Sequence, residues 1–236
     1  MTLSSVANGN RRGTDVRIPL GEVVLDGMLF LPDDTVGLVV FVHGSGSSRR
    51  SPRNQFVAEM FHAEGLGTLL FDLLTEEEAE GSEHVFDIPL LASRVVSTIR
   101  WLGYENHLAG RALGLFGAST GAAAALVAAA REPDRVRAIV SRGGRPDLAR
   151  EQLPQVAAPT LLIVGEADRE VLMLNQQAYK LLRCQKQLIT VAGATHLFEE
   201  PGTLAEAARA AAVWFVEHLA SSEGASSGNR RGNQQR

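Results

Sequence analysis

The chain has 236 residues, 45% of them hydrophobic and 21% charged, with a formal net charge of −4. That balance excludes a disordered or collagen-like chain and gives no overall support to a nucleic-acid surface. No apolar run approaches the ~18 residues of a membrane-spanning helix, and a single cysteine, Cys184, excludes an internal disulfide.

The first residues have no apolar stretch and carry their basic pair late, unlike a secretory signal. A cytoplasmic protein is expected, with no membrane and no nucleic-acid partner. Residues 1–13 and 221–236 are rich in Ser, Gly and Asn and read as flexible tails. Gly9-Asn10-Arg11-Arg12-Gly13 recurs as Gly228-Asn229-Arg230-Arg231-Gly232, a duplication without a physical account. Residues 14–220 are expected to form one domain.

Thr14–Leu20 and Val23–Leu31 alternate in polarity and are joined at Gly21, which predicts an antiparallel hairpin. Gly37–Val42 is a continuous apolar run, as in a parallel strand buried on both faces. It ends in the small-residue loop His43-Gly44-Ser45-Gly46-Ser47-Ser48. Ser51-Pro52 then supplies an N-cap and first helical residue. A strand at Gly67–Leu73, an acidic loop over Leu74–Glu83 and a helix marked by Ile88, Leu91, Val95, Ile99 and Leu102 follow. Further strands are expected at Leu113–Phe116, Val136–Val140, Pro159–Val164 and Gln187–Val191. Helices are expected at Thr120–Arg131, at Leu174–Leu182 and along Leu204, Ala208, Ala211, Phe215 and Leu219. A hairpin followed by alternating strand and helix predicts an α/β fold, a mostly parallel sheet covered on both faces.

One corner carries chemistry. Gly117-Ala118-Ser119-Thr120-Gly121 is G-x-S-x-G between a buried strand and a small-residue helix. Such a corner lifts its serine hydroxyl out of the sheet edge. A serine needs a base, and the base needs an acid to orient it. In an open α/β sheet these come from loops after the carboxyl ends of strands. Gly165-Glu166-Ala167-Asp168 follows one strand, with Asp168 preferred over Glu166. Gly193-Ala194-Thr195-His196 follows the next. The order Ser119, Asp168, His196 is that of an acyl-transfer triad on such a sheet. The oxyanion donors are the N–H of Thr120 and an N–H of Ser45 or Gly46. His43 is read as a structural residue of that loop. His62, His84, His107 and His218 do not fall at strand ends, and no spacing resembles a metal site. Cys184 is read as chemically silent. The mechanism calls for no cofactor.

These motifs, with Ala194-Thr195-His196-Leu197-Phe198, resemble the α/β-hydrolases, and more narrowly their dienelactone hydrolase-like branch. The resemblance implies an eight-stranded sheet with nucleophile, acid and base at Ser119, Asp168 and His196. Dienelactone hydrolases proper use a cysteine nucleophile. The serine here favours a general carboxylic-ester or lactone hydrolase. A slow-turnover binding or sensing protein, an acyltransferase and a peptidase are the other readings the same fold allows.

The segment Ser141–Ala158 is too short for a sizeable helical lid, so an open, shallow site is expected. Arg49, Arg50 and Arg53 follow the third strand, and Arg142 and Arg145 the sixth. If they converge, the mouth is basic and suits a substrate bearing a carboxylate or phosphate. The sequence gives no oligomeric state.

Overall fold

The computed structural model describes residues 13–81 and 83–220. The two expected tails and the repeated pentapeptide lie outside the described residues, Gly13 excepted.

Eight strands form one sheet in the order β1-β2-β4-β3-β5-β6-β7-β8. β1 (Thr14–Leu20) and β2 (Val23–Phe30) make the antiparallel hairpin. β2 also runs antiparallel to β4 (Gly67–Phe71). Beyond it β3 (Leu38–Val42), β5 (Leu113–Ala118), β6 (Val136–Arg142), β7 (Thr160–Gly165) and β8 (Lys186–Val191) are parallel. Every residue of β3, β4, β5 and β7 is buried. Their unbroken apolar runs follow from helices covering both faces.

On one face α1 (Pro52–Ala63) and α6 (Thr203–Leu219) cover Val39, Phe41, Phe116 and Val140. On the other, α3 (Ile88–Tyr104), α4 (Thr120–Arg131) and α5 (Arg169–Leu181) cover Val40, Leu115, Ile139 and Leu162. Local sequence sets the helix starts. Ser51 caps α1 and Asp87 caps α3, each by accepting a backbone N–H of the first turn, with a proline at the first helical position of α1 and the second of α3. The alanines of α4, Ala122 to Ala125, are all buried and let its backbone lie close to the strands.

Two stretches differ from expectation. The segment expected as an acidic loop holds a short helix, α2 (Glu76–Glu80). Thr75 and Glu78 form a reciprocal capping box there, and Arg94 reaches Glu78 at 2.7 Å. These local bonds order a run of like charges that composition alone would leave loose. Second, β5 and β6 run to Ala118 and Arg142, because Ala118 still pairs with Arg142 and Arg142 with Ile163. Arg142 is thus a strand residue, not a loop residue.

Between β6 and β7 only two 3-10 turns occur, Pro146–Ala149 and Leu153–Gln155, so no sizeable lid crosses the sheet edge. Among the described residues no helix is long and apolar enough to cross a membrane.

Candidate active site

Ser119 follows β5 and precedes α4 with φ 51° and ψ −125°. A non-glycine residue with positive φ is costly, by about 1–3 kcal/mol, and the cost is offset by packing around the corner. A Cβ on Gly121 would meet the carbonyls of Val42 and His43, so only glycine lets α4 start so close to β3. The Ser119 N–H donates to the Arg142 carbonyl at 3.3 Å, and its own carbonyl accepts from Arg145 at 3.0 Å. Both lock the corner to the end of β6.

Asp168 sits at the N-cap of α5 but makes no side-chain cap. Its carboxylate turns to His196 instead, with Oδ2 2.7 Å from Nδ1. The other ring nitrogen, Nε2, lies 3.4 Å from Ser119 Oγ. The structure therefore brings together the three side chains that the sequence separates by up to 77 positions. Glu166 stands apart and accepts the Gly193 N–H at 3.1 Å. Asp168 is sheltered, with 14% of its side chain exposed, while His196 keeps 39%, so the pair opens to solvent on the histidine side.

The His196 loop is held by bonds the sequence reading missed. Glu200 accepts from the Thr195 hydroxyl at 2.6 Å and from the Thr195 N–H at 3.1 Å, which holds the Glu200 carboxyl below its ordinary range. Phe198, with φ 56°, anchors the loop in the core. A Thr-x-x-x-x-Glu spacing around a loop histidine is the signal that could have found the first of these. The Gly165 position fits the same loop, since a Cβ there would lie 2.7 Å from the Thr195 carbonyl.

The small-residue loop lies against the serine. A Cβ on Gly44 would sit 2.9 Å from Ser119 Cβ. Gly44 to Ser47 form a tight turn closed by Ser47 N–H to the Gly44 carbonyl at 3.2 Å, with Gly46 at φ 69°. The Ser45 N–H does not stand free. It donates to Thr120 Oγ1 at 2.9 Å, a contact no motif announces. His43 braces the loop from behind: its Nε2 accepts the Leu73 N–H at 3.1 Å, so Nδ1 carries the proton and donates to the Gly44 carbonyl at 2.9 Å. Burial pushes the His43 pKa down, opposed by the Gly44 carbonyl and Asp72, so the ring is a neutral strut.

A cleft of about 390 Å³ runs from this loop to the segment around α2. Its lining is apolar at Leu73, Leu74, Ala79, Val85 and Leu91 and includes the charged side chains of Arg50 and Glu76. The cleft adjoins the serine through Gly44 and Ser45, while Ser119, Asp168 and His196 lie outside its lining.

The arginines do not converge into one basic mouth. Arg49 is paired with Asp72 and, at 3.3 Å, with Asp26. Arg145 forms a two-pronged pair with Asp147 at 2.9 and 2.8 Å, which raises its pKa. Arg142 points into the layer between the sheet and α1, with 9% of its surface exposed. Arg50 remains, exposed beside the cleft. Asp72 and Asp26 take up Arg49, Asp147 takes up Arg145, and Glu199 takes up Arg53 at 3.1 Å, so these three arginines meet a carboxylate before they meet the mouth. Among the described residues no group of three or more His, Cys, Asp or Glu side chains could hold a metal ion.

Strand order, crossover helices and a serine at the β5–α4 corner define an α/β-hydrolase. More narrowly, the chain belongs to the dienelactone hydrolase family, whose model matches residues 26–219. It is similar to the crystal structure of a dienelactone hydrolase from Anabaena variabilis, with 50% identity, a TM-score of 0.87, and coverage of 88% of this chain and 98% of that one. An esterase domain from Rhodothermus marinus shares the fold, with 18% identity and a TM-score of 0.70 over 87% of this chain and 98% of that one. A Mycobacterium tuberculosis protein provisionally named a phosphoribosyl transferase is 52% identical over 217 residues, which is 92% of this chain but 49% of that protein. The chain spans about half the length of the curated relatives it matches. The family and the fold are those of hydrolases.

Proposed function

We propose that the protein hydrolyses small carboxylic esters or lactones through an acyl-enzyme on Ser119. The observation that carries this reading is the relay from Asp168 Oδ2 to His196 Nδ1 at 2.7 Å and from Nε2 to Ser119 Oγ at 3.4 Å. As Ser119 Oγ bonds the carbonyl carbon, His196 Nε2 takes the hydroxyl proton, and Asp168 stabilises the imidazolium that forms. The carbonyl oxygen becomes an oxyanion held by the Thr120 N–H and by the Ser45 N–H, which shares its hydrogen between Thr120 Oγ1 and the oxyanion and so stays tethered to Thr120. Gly46 shapes the turn that presents Ser45. His196 then gives its proton to the leaving oxygen as the C–O bond breaks. A water repeats the sequence on the acyl-enzyme, releasing the acid and restoring Ser119. In a lactone the leaving oxygen stays attached to the product.

The cleft beside the Ser45 loop suits a compact acyl or alcohol group with an apolar side. Of the two arginines in its lining, Arg49 is held by Asp72 and Asp26, which leaves the exposed Arg50 to face an anionic substituent. The transferase name belongs to whole relatives of which this chain matches 49%. A serine–histidine–aspartate relay is chemistry for acyl groups, so the ester reading is preferred for this part.

The test is a panel of short-chain aryl esters and lactones with wild type and Ser119→Ala in parallel, together with a fluorophosphonate probe. Hydrolysis and labelling that both vanish in the variant support the reading. Labelling without turnover on any ester would favour a binding or sensing role. Products formed with added alcohols or amines would favour an acyltransferase, and cleavage of amide substrates a peptidase.

A further inference from the structure

His196 stands in a turn, outside any helix or strand. β8 ends at Val191 and α6 begins at Thr203. Within that connection the Phe198 N–H donates to the Thr195 carbonyl at 3.3 Å, which closes a β-turn with His196 at its second position. The turn aims the imidazole, and the turn is set by its two ends. One end is fixed by burial, since Phe198 lies in the core with 2% of its surface exposed. The other end, Thr195, is exposed, so packing does not hold it.

Glu200 supplies what burial does not. One carboxylate oxygen accepts the Thr195 hydroxyl at 2.6 Å and the other accepts the Thr195 N–H at 3.1 Å. Bonds of this kind, with an ionised acceptor, are stronger than neutral ones. Glu200 is itself pinned from behind. Its carbonyl accepts the N–H and the hydroxyl of Thr203, at 3.1 and 2.7 Å, where α6 starts. α6 buries Ala207, Ala211 and Phe215 in the core, so its start is a firm support. The bonds from Thr195 hold the Glu200 carboxyl below its ordinary range, so it remains an ionised acceptor at neutral pH. The neighbouring Glu199 turns instead to Arg53 in the first turn of α1, at 3.1 Å.

We propose that Glu200 is a positioning residue for His196: its carboxylate, braced by the start of α6, clamps Thr195 and thereby fixes the reach of the imidazole to Ser119. That reach has little to spare. Nε2 lies 3.4 Å from Ser119 Oγ, already longer than the roughly 2.6–3.2 Å of a productive proton transfer. Asp168 holds the ring at Nδ1, but one bond leaves the ring free to swing about it when the backbone beneath moves. Without the clamp, the Thr195 end of the turn relaxes into solvent and carries His196 with it. A misplacement of about 1 Å at a reacting group costs on the order of 10²-fold in rate. The catalytic role rests on the Ser119 reading, but the ordering of His196 by Glu200 does not.

Two measurements on the full chain test it. The first is kcat and KM on a short aryl ester. Glu200→Ala is expected to lower kcat by roughly ten- to a hundredfold. KM and the thermal midpoint should change little, because the side chain is only partly buried and touches the turn rather than the cleft. Glu200→Gln can still accept the Thr195 N–H and can donate to its hydroxyl, so it is expected to restore most of the rate. Glu199→Ala, which removes a carboxylate one residue away, is expected to match wild type. An unchanged kcat in Glu200→Ala, or an equal loss in Glu199→Ala, would overturn the proposal. The second measurement needs no turnover. It follows the imidazole carbon–proton NMR signals of His196, assigned by their loss in His196→Gln. Glu200→Ala is expected to broaden or split them, and Glu200→Gln to leave them as in wild type. Identical signals in the alanine variant and wild type would overturn the clamp whatever the kinetics. Absence of any ester turnover in wild type would count against the Ser119 reading, while the NMR signals would still decide the clamp.

Discussion

The hydroxyl of Thr120 accepts the backbone N–H of Ser45 at 2.9 Å, tying the residue after the proposed nucleophile, Ser119, to the loop that faces it. Both residues are proposed oxyanion donors, so one side chain sets the distance between the two amides. Thr120→Ala is expected to lower kcat about tenfold, the worth of one hydrogen bond that holds a catalytic donor in place. KM should change little, and Thr120→Ser should restore most of the rate. Steady-state kinetics on a short aryl ester check this; equal rates for the alanine and serine variants would sink it.

Asp168 sits where a helix cap belongs, yet its carboxylate serves His196. Asp168→Asn keeps the shape and removes the charge that fixes the histidine tautomer. kcat is expected to fall by about 10³–10⁴ with little change in KM or thermal midpoint. A variant that loses its fold along with its rate would show a mainly structural role instead.

Gly121 is the tightest point of the corner. Gly121→Ala would press a methyl against the Val42 and His43 carbonyls, which belong to rigid backbone. The thermal midpoint is expected to drop by roughly 5–10 °C, in line with overpacking in a chain of this size. Scanning calorimetry gives the answer, and an unshifted midpoint would mean the corner can open.

His62 is stacked on Phe30 at 3.7 Å and lies 2.7 Å from Thr68 Oγ1, and burial lowers its pKa from 6.5 to about 4. Between those values the unfolded chain takes up a proton that the folded chain does not. Stability therefore falls as pH drops from about 6.5 toward 4, and is unaffected by this group above that window. His43, whose pKa is also lowered, acts in the same direction. His62→Gln is expected to shrink the loss of denaturant midpoint between neutral and mildly acidic pH without removing it. Identical pH profiles for variant and wild type would refute the assignment.

The alternation of apolar strands with periodic helices was legible from the chain itself, because burial on both faces leaves a run such as Leu38–Val42 no polar position. The Ser119 corner was legible too, since glycine spacing and the strand–helix context are local. Asp168 and His196 could be picked out only by assuming that strand ends share one rim. What remained hidden depends on contacts across long separations. Arg49 meets Asp72 across 23 positions, Ser45 meets Thr120 across 75, and Arg53 meets Glu199 across 146. No periodicity records such pairings.

Sequence by itself determined the layers, the corner and the chemical types placed at the strand ends, because these follow from local backbone preference and hydrophobic period. Tertiary structure alone decided which charges are spent and which are left over. Arg49 and Arg145 find carboxylates, whereas the two-residue alternation of β6 turns Arg142 inward beneath Phe198, where no carboxylate reaches it. A charge is answered by what lies within a few ångströms of it, and that distance is set only when the sheet and helices have closed.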